Sequence, residues 1–450
     1  MVAEMTAEGL ALARRLVELA EQQGATEAEA LVLGGTDQLT RFANSQIHQN
    51  VAETNTTVNL RFVEGRQIGV ASTNRLDDES LRRLAESAAS IARLQPPLED
   101  FAGLPEPTPV APAAGAYSEA TAAATPEERA EAARAVIAGA DEAGVLAYGS
   151  FRTATERVAV ANSRGIAVEE ERTYGQLITV SMDPSGSAGY AEGVAVDFRE
   201  IDAAGLGREA ANKARTSRAA QDIPAGDYPV VLEEYAVVDL LDMLGYMGFS
   251  GLAVQEGRSF FEPGRRIGSE LVSIWDDGAD PAGTPAAFDY EGVAKQRVTL
   301  VERGTCVDVV HDAQTGAKAG RGSTGHGLPA PNVWGPFPLN QLMAAGETPR
   351  EELIGGLDKG LLVTRFHYTN PVHPKLAIVT GMTRDGTYWV EGGEIRHPVK
   401  NLRFTQSYID ALSGVQAVGS TRRLLRGFLG SVVVPALRIS AFTFTGTTQH

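Results

Sequence analysis

The chain has 450 residues, room for two or three domains, and its 43% hydrophobic content suits a soluble globular protein. A formal charge of −17 with no segregated basic patch argues against nucleic acid as a partner, since phosphates would be repelled. A single cysteine, Cys306, allows neither a disulfide framework nor a cysteine-rich zinc site and suits a reducing compartment. The first residues lack the basic and continuous apolar regions of a signal peptide. No uncharged apolar run reaches the roughly 18 residues a membrane span needs. A cytoplasmic protein with no membrane partner is expected.

The pattern predicts an α+β fold: a domain of antiparallel sheets with helices over 1–221, then a β-rich domain over 222–450. Apolar residues at helical spacing predict an opening helix over about 6–23. Alternating, β-branched runs follow ("EAEALVLGG", "QLTRFANSQIHQNVAE", "TNTTVNLRFVEG", "RQIGVAST") and read as separate antiparallel strands, with a turn at Gly65. "DDESLRRLAESAASIARL" is an amphipathic helix with an acidic first turn, as the helix dipole favours. Residues 95–115 form a proline-rich connector. The pattern then returns over 118–221, where a helix starts with Thr125 as N-cap and Pro126 in the first turn. Strands and a closing helix follow. Ala-Asn-Ser occurs at 43–45 and 161–163, each time placed within a strand, so 1–94 and 118–221 read as two repeat halves. "DIPAGDYPVVL" marks the boundary, and the remainder alternates many strands with a few helices, among them "TPREELIGGL" and "SYIDALSGVQAVG".

Motifs of chemistry are sparse. No two histidines stand at the i, i+4 helical spacing that aims two imidazoles at one ion. His326 lies in a glycine-rich loop, and His367 and His373 flank the turn-like "YTNPV". These three form a weak alternative metal set, with loop roles the stronger reading. His48 and His311 read as ordinary strand residues. "GRGSTG" matches G-x-G-x-x-G but runs into "HGLPAPNVWGPFP", which cannot supply the required helix. Cys306 reads as a buried structural thiol, and carboxylate pairs such as Glu233–Glu234 are too common in an acidic chain to single out. In "DLLDMLGYMGF", Leu240, Leu244 and Met247 share one helical side, with Asp239, Asp242 and Met243 elsewhere.

Four segments taken in order, "RFANSQIHQ", "STGHGL", "TGMTRDGTYWVEGGEIRHPVKNLRF" and "PALRISAFTFTGT", resemble the TldD/PmbA (TldE) family of metallopeptidase-related proteins over nearly the whole chain. The resemblance implies a two-subunit protease acting on unfolded or small peptides. Its TldD-like subunit carries H-E-x-x-x-H and a late cysteine that bind zinc, the glutamate acting as general base; its TldE-like subunit lacks them. The motif's positions fall on Asp242, Met243, Leu244, Gly245, Tyr246 and Met247. Asp242 and Met247 replace the histidines and Met243 the glutamate, and methionine neither suits hydrolytic zinc nor takes a proton. The resemblance therefore implies a non-catalytic TldE/PmbA-like subunit, with no catalytic residue, cofactor or metal of its own; the alternatives are a stand-alone metallopeptidase using His326, His367 or His373 and a peptide-binding module without protease activity. A TldD-like partner would hold the zinc, and the 239–249 helix would be plain core.

Overall fold

The computed structural model describes residues 9–447; the start of the expected first helix, 6–8, lies outside the described residues. The order helix, three strands, helix occurs twice. First come α1 (Gly9–Gln22), β1 (Glu27–Ala43), β2 (Gln46–Glu64), β3 (Gln67–Thr73) and α2 (Asp78–Leu94). After the connector and the short α3 (Glu119–Ala122) come α4 (Pro126–Ala143), β4 (Leu146–Asn162), β5 (Ala167–Met182), β6 (Ala188–Ala195) and α5 (Ala203–Thr216). Caps fix two of these helix starts. Asp77 accepts from Ser80 N, and Thr125 and Glu128 form a reciprocal capping box with Pro126 at the first position.

The six strands make one antiparallel sheet, in the order β3-β2-β1-β4-β5-β6, with the first strands of the two halves side by side at its centre. Successive residues face opposite sides of a sheet. Ala28, Ala30, Val32, Leu60 and Phe62 pack under α1 and α2, while Phe42, Phe151 and Leu177 pack under α4 and α5. Leu31, Val158 and Val160 point the other way, onto Phe288 and Val293 of the C-terminal half.

Two sequence expectations change here. The four runs before α2 are three strands, because Gly34 and Gly35 do not turn the chain. At Gly35, which pairs with Glu156 of β4, a Cβ would run into the Thr155 carbonyl. Ala-Asn-Ser is also not strand interior. Asn44 and Ser45, at φ 50° and 57°, are the two-residue turn of the β1–β2 hairpin, and Asn162 and Ser163 open the equivalent β4–β5 turn.

The C-terminal half contains β7 (Gly226–Leu232), α6 (Glu234–Met247), α7 (Gly251–Gln255), β8 (Ile274–Asp276), β9 (Val298–Glu302), β10 (Thr305–Cys306) and α8 (Ala313–Lys318). It continues with β11 (Asn340–Met343), α9 (Arg350–Gly355), β12 (Lys359–His373), β13 (Ile378–Glu391), β14 (Glu394–Pro398) and β15 (Leu402–Ser407). Last are α10 (Tyr408–Ser413), β16 (Val415–Arg426) and β17 (Ser431–Thr447). The sheet path runs β10-β9-β8-β11-β17-β15-β13-β12-β7, and β7 pairs back onto β17, so its last five strands close a ring. Phe366, Phe404, Phe442 and Phe444 cluster in its core, together with Leu240, Leu241, Leu244 and Met247 of α6. "SYIDALSGVQAVG" is helical only to Ser413; Gly414 caps α10 and β16 begins at Val415. "YTNPV" is not a free turn but an irregular stretch of β12, where Tyr368 takes φ 54° and the register against β13 shifts.

Candidate functional site

Helix α6 follows directly from β7 and carries the residues aligned with the peptidase motif. A regular α-helix turns about 100° per residue, so positions five apart diverge by about 140°. Asp242 and Met247 accordingly face different surroundings. Met247 is in the core, Met243 is half-buried against it, and Asp242 lines a cavity of about 210 Å³. Met243 and Met247, four residues apart, share the core side of the helix, and Asp242 does not. Leu244 and Met247 are buried as the spacing implied, but the expectation that the whole helix is plain core is incorrect for its Asp239–Asp242 side.

That cavity lies where α6 meets the edge strand β6 and the β16–β17 hairpin. Its walls include Tyr190, Glu192, Tyr235, Asp239, Asp242 and Arg426. Each carboxylate has a defined set of donors. Glu192 accepts from Tyr190 Oη and Gln176 Nε2, both at 2.8 Å. Asp239 accepts from Thr369 Oγ1 at 2.5 Å and Tyr408 Oη at 2.6 Å, one on each oxygen. Asp242 Oδ2 accepts from Phe428 N at 2.6 Å, tying down the hairpin tip, and Oδ1 has no partner. Burial pushes the Asp239 carboxyl up to about 6 and that of Asp242 up to about 7, the neighbouring Asp239 charge adding to the latter. One free carboxylate oxygen and no imidazole do not fit a hydrolytic zinc site, which takes three protein ligands. Among the described residues no group of three or more His, Cys, Asp or Glu side chains is placed to hold a metal.

At the start of α6 lies an ionic network that sequence reasoning passed over. Glu233 and Glu234 are both buried. Lys213 Nζ of α5 donates to Glu233 at 2.6 Å and to Glu209 at 2.8 Å. Arg350 pairs with Glu233 and, at 3.5 Å, with Glu234. Arg423 donates to Glu209 at 3.2 Å and to Tyr235 Oη at 2.7 Å. Burial works to raise the Glu233 carboxyl, but the charges of Lys213 and Arg350 overcome it and hold it below its ordinary value. Three cations and three carboxylates thus tie the repeat region to the start of α6. The sequence signal was only an adjacent carboxylate pair just after a strand.

The histidines do not assemble. His326 is sealed in the interior, with Nε2 2.8 Å from Asp276 Oδ1 and Nδ1 2.9 Å from Thr324 Oγ1. Burial depresses its pKa, so the neutral ring donates to Asp276. His367 lies within β12 and His373 at its end, so the alternative set His326, His367 and His373 forms no site. His311 is buried beside Thr315, 3.2 Å away, and His48 lies in β2. Cys306 is a buried thiol whose pKa burial pushes up to about 11, which removes it as a nucleophile. "GRGSTG" is followed by no helix before β11. The "STGHGL" loop instead docks on the junction between the two halves. Gly327 N donates to Asp289 at 2.6 Å, near Arg61, which pairs with Glu29 at 3.3 Å and Glu291 at 3.2 Å.

Family models match three consecutive stretches, described as PmbA/TldA metallopeptidase domain 1 (28–92), central domain (119–218) and C-terminal domain (225–446). The chain belongs to the PmbA/TldD metallopeptidase family. Within this family it is 25% identical over 451 residues to a protein named metalloprotease PmbA homolog from Haemophilus influenzae, covering 94% of each chain. It is 29% identical over 287 residues to one named metalloprotease from Methanothermobacter thermautotrophicus; the match covers 60% of this chain and spans 62% of that relative. The fold matches the crystal structure of TldE from Thermococcus kodakarensis with a TM-score of 0.87, at 20% identity, covering 97% of this chain and 100% of the other. No helix among the described residues is long and apolar enough to cross a membrane.

Proposed function

We propose that this chain is the non-catalytic, TldE-type subunit of a cytoplasmic two-chain metalloprotease that degrades unfolded or small peptides. The observation that carries the reading is the motif helix itself. Asp242, Met243 and Met247 occupy the ligand and base positions; they offer no imidazole to a metal, and Met243, at the base position, cannot take a proton. In this reading zinc and its activated water belong to a TldD-like partner, and this chain supplies the wall that completes the peptide chamber. The match to TldE over the whole fold supports that assignment, as do family relatives named metalloproteases. The isolated chain is expected to retain no stoichiometric zinc or iron after dialysis and to cleave unfolded peptides no faster than background. Near one equivalent of tightly held metal, together with cleavage, would overturn it.

A further inference from the structure

We propose that the cavity where the repeat sheet meets the β16–β17 hairpin is a binding site for a carboxylate group, supplied by a peptide carboxy terminus or an acidic side chain. The cavity measures about 110 Å³, space for several waters or one small organic group. β4 and β5 supply Glu156, Arg172 and Tyr174 to its walls, the hairpin supplies Arg426 and Ser431, and the 284–295 loop supplies Tyr290. The Glu156 and Arg426 side chains are 40% and 34% exposed, so the cavity is open to solvent beside them. Its donors are under-used. The Arg172 guanidinium, 16% exposed, has one terminal nitrogen 3.6 Å from Glu156 and the other 3.6 Å from Glu170. Both gaps exceed the roughly 2.7–3.2 Å of an N–H···O bond, and Tyr290 is its one hydrogen-bonding neighbour. Arg426 stacks on the Tyr174 ring at 4.1 Å and stays 3.9 Å from Glu156, with no hydrogen bond to either. Ser431, 6% exposed, accepts from Asn340 Nδ2 at 3.4 Å and Thr284 N at 3.5 Å, and its own hydroxyl hydrogen has no acceptor among the described residues. Nearly buried donors without acceptors are costly until something fills them. The other carboxylates nearby are engaged elsewhere. Glu170 spends one oxygen on Ala287 N at 2.8 Å, and Asp289 accepts from the backbone N–H groups of Glu291, Val293 and Gly327. Burial and the Glu291 charge push the Asp289 carboxyl up to about 8, so it carries little charge at neutral pH. Lys295, its Nζ sealed in the wall, offsets part of the charge of Asp276 and Glu170. Arg172 and Arg426 are left facing Glu156, which lies between them and bonds neither. Two guanidiniums beside one open space suit a planar, forked oxyanion, whereas an ammonium or metal guest would meet like charge.

The peptide sources rest on the subunit reading, but acetate and the isolated chain test the site itself, so its failure leaves that reading standing. In an NMR titration of the acetate methyl signal at constant ionic strength, acetate is expected to saturate at one site. Acetamide, of like size but neutral, should bind at least about tenfold more weakly, as loss of a charge-assisted hydrogen bond implies. Arg172→Gln should weaken acetate about tenfold or more, and Arg426→Gln about fivefold or more. Glu156→Gln removes the competing carboxylate and should tighten acetate about threefold or more, a sign that a merely structural role would not give. If Arg172→Gln fails to fold, the partly exposed Arg426 and Glu156 variants decide. Two peptides then separate the sources, one with a free carboxy terminus and no Asp or Glu, one C-amidated with a single Glu. At least one should displace acetate. Absence of saturation, equal binding of acetamide, affinity untouched by the folded arginine variants, acetate not tightened by Glu156→Gln, or displacement by neither peptide would each overturn it.

Discussion

The start and the middle of α6 bury carboxylates in opposite ways. At its start, Glu233 and Glu234 meet Lys213, Arg350 and Arg423, and opposite charge holds Glu233 ionised and low. Two turns later, Asp239 and Asp242 are buried with no cation paired to them, and burial raises both. Burial is common to both; the partner decides whether the carboxyl is held low and ionised or pushed up. The first set joins the repeat sheet to the ring of strands, and the second holds the tip of the β16–β17 hairpin through Phe428 N.

The comparison breaks most severely at the matched end. Lys213→Met leaves Glu233, 2% exposed, facing Arg350 alone and should cost about 3–5 kcal/mol in denaturant unfolding; a loss near zero would mean the network contributes nothing. Past both sets on the same helix, Leu244→Ala removes a fully buried side chain and should cost about 2–5 kcal/mol. A loss below about 0.5 kcal/mol would contradict the burial seen here.

The pH response sharpens the contrast. Glu233 and Glu209 sit below their ordinary values, so their stabilisation is present above the usual carboxylate range and is lost as pH falls through it. Asp239 and Asp242 are raised, so the folded state holds more protons than the unfolded chain between about pH 4 and 7, and their contribution falls as pH rises through that window. Asp242→Asn should therefore flatten stability over that window by about 1–3 kcal/mol, and at neutral pH, where the carboxyl is half protonated, change it by about 1 kcal/mol or less. An unchanged slope would place the proton elsewhere.

What the sequence revealed were features with local causes. The acidic first turn of α2, the Thr125–Glu128 box and the alternation of the strands are all written within a few residues. The α+β class and the repeat order followed from them. Features set by distant contacts were misread. The first run was read as ending at Gly35, yet β1 continues through it, and the reason for Gly35 is strand β4, more than a hundred residues away. Asp242 looked like core because its cavity is assembled from β6, β12 and β16, and Glu233–Glu234 looked commonplace because their cations come from residues 213, 350 and 423. The residues at the positions aligned with the motif, Met247, Met243 and Asp242, were legible. The space left beside Asp242 was not.

The central claim is that this fold serves another chain's catalysis, and one experiment addresses it directly. The protein is mixed with a TldD-like chain from the same organism, run on gel filtration over a range of salt, and the fractions are assayed against an unfolded peptide. The account predicts a stable 1:1 complex whose peptidase activity appears or rises sharply only in the mixture and vanishes when the partner's H-E-x-x-x-H glutamate is replaced. A partner fully active alone, never co-eluting with this chain at any salt, would contradict it.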